Sequence, residues 1–138
     1  MAAVFLYNIR EREKLVKLKL ICYRLGVDCR EVAPEDFRHP VGFLVGLEGY
    51  TPAEATDEEP FAEEMLLMRD LRGSELNGLL DAMRQARVPV ALKAVVTEHN
   101  AAWSSSRLHR ELQAEHAALQ RSSTHSPAQR SLHRKKKK

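Results

Sequence analysis

Three short runs in this chain are almost wholly apolar: AVFLYNI at 3–9, MLLM inside 64–70, and VALKAVVT at 90–97. Runs of this length rich in β-branched and aromatic residues read as strands buried on both faces. A strand buried on both faces needs a layer packed on each side of its sheet, and this limits the chain to a small set of architectures.

Helical patterns separate the runs. Leu15, Leu18, Cys22 and Leu25 recur at helical spacing, and Gly26 can close that helix in the left-handed conformation. Leu76, Leu79, Leu80 and Met83 form a second stripe, with Ser74 expected as its N-cap and Pro89 ending it. Ser104 to Ser106 can cap a last helix with Leu108, Leu112 and Leu119 inward. Residues 27–33 alternate loosely, as an edge strand does. Residues 37–47 read as a short helix beginning near Pro40 and weakened by Gly42 and Gly46. No internal repeat is legible.

The order β-α-β-(α)-β-α-β-α predicts an α/β fold: a small three-layer sheet of about four mostly parallel strands, order 2-1-3-4, with helices on both faces. The alternative is a ferredoxin-like βαββαβ with a C-terminal helix, which would cover one face only. A single domain is expected over 1–120, with an acidic flexible loop at 48–60, followed by a disordered basic tail at 121–138. The tail holds seven basic residues and no acid; the other 120 residues carry 15 basic and 19 acidic side chains. The basic character therefore belongs to the tail, and the alternative function is weak, sequence-blind nucleic-acid contact through phosphates there.

EEMLLMRDL, then a helix, then VALKAVVTEHNAAW and LHRELQAEH resemble a bacterial family known as domain of unknown function 3783. The resemblance runs over roughly residues 3–116. It implies a small stand-alone bacterial protein and brings no chemistry with it.

In a parallel sheet, ligands bind beyond the carboxyl ends of the strands. Those ends carry Asn8, Asp70, Thr97 and Asn100, which are expected on one rim as a ligand-binding set, with Lys93 and His99 as further candidates. The competing reading is that Asp70, Thr97 and Asn100 cap turns and helix starts. Lys93 could be a perturbed amine, or a lysine snorkelling at a sheet edge. Trp103 reads as a packing residue between the last strand and the last helix.

Other chemistries lack their frames. A receiver-type phosphoacceptor needs an acidic pair after the first strand, where this chain has Asn8. Neither a nucleophile elbow nor a phosphate loop occurs. His109 and His116 share a helical face but lie about 10 Å apart along it, too far to share one zinc. Cys22 and Cys29 read as free thiols, with a pair or a metal site as alternatives. No cofactor and no metal are expected, no catalytic residue can be named, and the chain leans away from being an enzyme. The expected function is a binding or regulatory module for a small anion, a metabolite or a partner protein. The expected location is the cytoplasm, without a membrane partner: no apolar run reaches spanning length and no signal peptide is visible.

Overall fold

The structure, a computed structural model, describes residues 2–125, with side chains through residue 120. Four strands, β1 (Ala3–Tyr7), β2 (Asp28–Val32), β3 (Met65–Arg69) and β4 (Leu92–Val95), form one sheet in the order β2-β1-β3-β4. Helices α1 (Arg12–Leu25), α2 (Val41–Leu44), α3 (Ser74–Ala86) and α4 (Ser105–His125) pack on it, with a 3₁₀ turn at Pro34–Asp36.

The sheet separates two cores. Val4, Leu6, Leu66 and Met68 point to one face and meet Leu18, Ile21 and Cys22 of α1 and Leu79 and Met83 of α3. Phe5, Tyr7, Met65 and Leu67 point to the other and meet Phe37, Val41 of α2 and Leu108 of α4. This is why the central strands lack a polar alternation: successive side chains enter different cores. The three layers and the strand order are as the sequence predicts, and the ferredoxin-like alternative is ruled out by helices on both faces.

The pairings are mostly parallel. β1 runs parallel to β2 and β3 parallel to β4, but β1 and β3 are antiparallel, with Ala3 opposite Arg69 and Tyr7 opposite Met65. The molecule is thus two βαβ units joined side by side in opposite directions. The path of residues 33–64 explains the reversal. Phe37 lies against Tyr7 at one rim (5.3 Å between ring centroids). The chain then descends to Val45, whose carbonyl accepts from Arg69 at the other rim. It climbs back so that Phe61 again lies 5.9 Å from Tyr7. A connection that goes out and returns delivers β3 to the rim where β2 ended, so β3 must run against β1.

Several local expectations hold. Gly26 closes α1 with φ 72°, and the amides of Gly26 and Val27 bond the last-turn carbonyls of Tyr23 and Cys22. Ser104 caps α4 through its Oγ, which accepts from the Arg107 amide at 3.0 Å. Pro40 precedes α2, and Gly42 there admits no side chain, because a Cβ would lie 2.6 Å from the Tyr50 ring.

Others are corrected. Gly73, not Ser74, is the N-cap of α3, and no side chain caps it. α3 ends with Arg87 in the left-handed conformation, two residues before Pro89. β4 is a half-exposed edge strand rather than a buried one. Leu25 is 38% and Leu119 70% exposed, so neither belongs to its helix's inner face. α4 continues to His125, through the first residues of the expected tail. The remainder of that tail, 126–138, lies outside the described residues, and with it most of the charge expected to contact nucleic acid.

Candidate functional site

The antiparallel β1–β3 pairing divides the expected ligand set. Asn8 follows β1 at the Tyr7 rim, whereas Asp70, Thr97 and Asn100 follow β3 and β4 at the opposite rim. The expectation of one shared rim is therefore overturned, because it required β1 and β3 to be parallel.

Each side chain also has local work. Asn8 donates through Nδ2 to the carbonyls of Phe61 (2.9 Å) and Glu63 (2.8 Å), tying the returning segment to the sheet. Thr97 and Asn100 close a turn reciprocally. The Thr97 amide donates to Asn100 Oδ1 (2.9 Å), the Asn100 amide donates to Thr97 Oγ1 (3.1 Å), and Asn100 Nδ2 donates to the Val95 carbonyl (3.0 Å). Asp70 is exposed beside Arg69, with 3.7 Å between carboxylate and guanidinium. His99 is exposed and meets Trp103 edge-on at 5.0 Å. Trp103 packs against the second core with the Arg107 guanidinium 4.3 Å over its ring.

A polar cluster at the Tyr7 rim is less visible in sequence. Tyr7 and Ser105, both fully buried, share a 2.8 Å hydrogen bond. Burial pushes the Tyr7 phenol up to about 12. His109 is 5% exposed and stacks on Phe61 at 4.0 Å with nearly parallel rings. Its Nε2 lies 3.0 Å from Glu63 Oε1, too oblique for a hydrogen bond. Burial lowers the His109 pKa, and the Glu63 carboxylate opposes that shift. The spacing of Ser105, His109 and Leu112 along α4 is the signal that places them on its inner face. The cluster fastens the 46–64 segment onto α4, helped by Arg110 on Glu58 at 2.6 Å. Tyr7 and Ser105 satisfy each other inside the fold and the His109 ring is stacked on Phe61, so the cluster makes a clasp.

The surface with unspent capacity is the edge of β4. The Val96 amide bonds Met68 inward, so by the alternation of a parallel ladder Lys93 turns its backbone N–H and C=O outward and Val95 its N–H, the Val95 carbonyl being taken by Asn100 Nδ2. A groove of about 640 Å³ flanks this edge on the α3 side, with Leu80, Met83, Val88 and Pro89 in its lining. Arg84, Arg87 and Lys93 line it too, and no acidic residue does. Lys93 is exposed at the sheet edge, with Nζ bonded to the Val90 carbonyl at 2.6 Å. On the α4 side a smaller hollow of about 130 Å³ is lined by Leu92, Leu112 and Leu119 among others.

The other edge differs. β2 presents Asp28, Arg30 and Glu31, with Arg30 on Asp28 and Lys19 on Glu31, both at 2.9 Å. Charges of this kind discourage pairing with another strand. Among the described residues no three His, Cys, Asp or Glu side chains are grouped to hold a metal, and no helix is long and apolar enough to cross a membrane.

The fold and this edge define a small mixed α/β protein made of two opposed βαβ units with one open edge. Residues 64–119, from β3 into α4, match the family described as Domain of unknown function (DUF3783). The match covers the C-terminal part of the expected resemblance and does not take in residues 3–63. No curated protein and no solved structure matches the chain.

Proposed function

We propose that this is a bacterial, cytoplasmic binding module that takes up an extended segment of a partner protein along the β4 edge. The observation that carries the reading is the contrast between the two sheet edges: β2 is charged and ion-paired, while β4 offers outward backbone groups between a groove of apolar residues and cations and a smaller hollow of leucines with Glu115 and His116. Strand addition gains affinity from main-chain hydrogen bonds and specificity from pockets for alternate side chains. An added strand sends alternate residues to opposite faces. Here these would enter the α3-side groove and the α4-side hollow in turn. The cations of the larger groove favour acidic residues in the partner. They also oppose a second copy of this chain, whose β4 edge would bring the same cations against them.

A small anion or metabolite at Thr97 and Asn100 is the weaker reading, because those side chains already satisfy their own turn.

Selection of random displayed peptides on the full chain tests the proposal. Alternating apolar peptides with Asp or Glu are expected. Val95→Pro removes one outward N–H and no inward ladder bond, a position where an edge strand tolerates proline. It should abolish their binding while melting stays cooperative, and Lys93→Glu should weaken it at least tenfold. Peptides that bind both variants as well as the parent would refute the reading, as would concentration-dependent self-pairing through β4.

A further inference from the structure

Two cysteines on the opposite half of the molecule are brought to one core by construction. Cys22 sits in the last turn of α1, where its carbonyl accepts from the Val27 amide at 2.9 Å. Gly26 reverses the chain, and Asp28 enters β2 by bonding the Ala2 carbonyl at 3.1 Å. Cys29 then lies opposite Val4. Val4 faces the α1–α3 core, so its neighbour on the sheet does too, and Cys29 packs against the same cluster that contains Cys22. Cys22 is fully buried, whereas Cys29 is half-buried at the β2 edge.

The nearby Cys29 thiol, together with burial, pushes the Cys22 pKa up, so Cys22 is the thiol that stays protonated. The Cys22 thiol and then the Lys19 ammonium ease ionisation of Cys29, against burial, Glu31 and Asp28. The more reachable sulfur is thus also the readier thiolate, the combination an attacking thiol needs.

We infer that Cys22 and Cys29 form a redox-active dithiol whose substrates are low-molecular-weight disulfides. The Cys29 thiolate attacks one sulfur of the small disulfide, its S–S bond breaks, and one small thiolate leaves. Cys22 then gives up its proton and attacks Cys29 Sγ, forming the internal disulfide and expelling the second small thiolate. Two protein thiols and one small disulfide become one protein disulfide and two small thiols, so the electrons lost by the cysteines reduce the small molecule. The product pins the end of α1 to β2. This site lies across the sheet from β4 and is independent of the binding proposal.

The test is intact-protein mass spectrometry of the native full chain after incubation with oxidised glutathione. The expected product has lost two hydrogens and both free thiols together, carries no glutathione, and returns to the starting mass with a reductant. Cys22→Ala should instead retain one glutathione on Cys29, and Cys29→Ala should stay unmodified while folded. A native chain that keeps bound glutathione on one thiol would overturn the inference, as would one that leaves both thiols reduced at high oxidant. Both outcomes are read on the unmutated protein, so they stand even where a variant folds poorly.

Discussion

Asn8 and Asp70 occupy equivalent positions in the two βαβ units: each is the first residue after its strand, and each has a positive φ, 62° and 61°. Ile9 and Leu71, the residues that follow, are both buried, and Arg10 and Arg72 come next. The halves thus repeat a turn with the same backbone requirement at offset positions, a repeat too short and too altered to be read in sequence. Asn and Asp are the non-glycine residues that tolerate this conformation best. Asn8 also anchors the distant 61–63 segment.

The two positions should therefore respond differently. Asn8→Ala loses two hydrogen bonds to the 61–63 backbone and places Ala in the left-handed region, for a cost of about 2–3 kcal/mol. Asp70→Gly suits the backbone and should stay within about 1 kcal/mol of the parent. Urea unfolding of both variants measures the contrast; equal losses would mean that Asn8 does not hold the returning segment.

The helix starts give a second pair. Ser104→Ala removes a real N-cap and should cost about 0.5–2 kcal/mol. Ser74→Ala removes no capping bond and should change stability by no more than a few tenths of a kcal/mol. Thermal melting of the two variants checks this, and a larger loss for Ser74→Ala would restore it as the cap of α3.

His109 sets a pH dependence. Its folded pKa lies below the ordinary 6.5 because burial disfavours the imidazolium, while Glu63 pulls upward and Arg110 pushes downward. The unfolded chain therefore takes up the proton first as pH falls. The His109 contribution is fully present above about pH 6.5, shrinks below it, and is lost once the folded pKa is passed. Between about pH 7.5 and about pH 5.5 the parent should lose more unfolding free energy than His109→Gln. Equal pH slopes would show that this imidazole titrates alike in both states.

Much of the architecture is legible in the sequence because both cores leave a one-dimensional trace. The unbroken apolar runs at Val4–Tyr7 and Met65–Met68 report two covered faces, and the stripes at Leu18–Cys22 and Leu79–Met83 report helices on one of them. The direction of β3 leaves no such trace. It depends on residues 33–64 going out and back, and the acidic irregular stretch has no period from which its path can be read. The expected rim of Asn8 with Thr97 fails for that reason alone. The clasp of Tyr7, Ser105, His109 and Phe61 joins residues up to 102 positions apart, which only the folded chain reveals. The β4 edge was half legible: Lys93 marks an edge, but the grooves beside it arise from α3 and α4 meeting the sheet.

Amide hydrogen exchange at Leu92–Val95 tests the binding account most directly. In the free chain the inward amides of Leu92 and Ala94 should be protected while the outward amides of Lys93 and Val95 exchange freely. On addition of a selected acidic, alternating apolar peptide, Lys93 and Val95 should become protected by at least tenfold, with little change at the β2 edge residues Arg30 and Glu31. Protection of Lys93 and Val95 in the free monomer, or no change there when the peptide is bound, would contradict strand addition at β4.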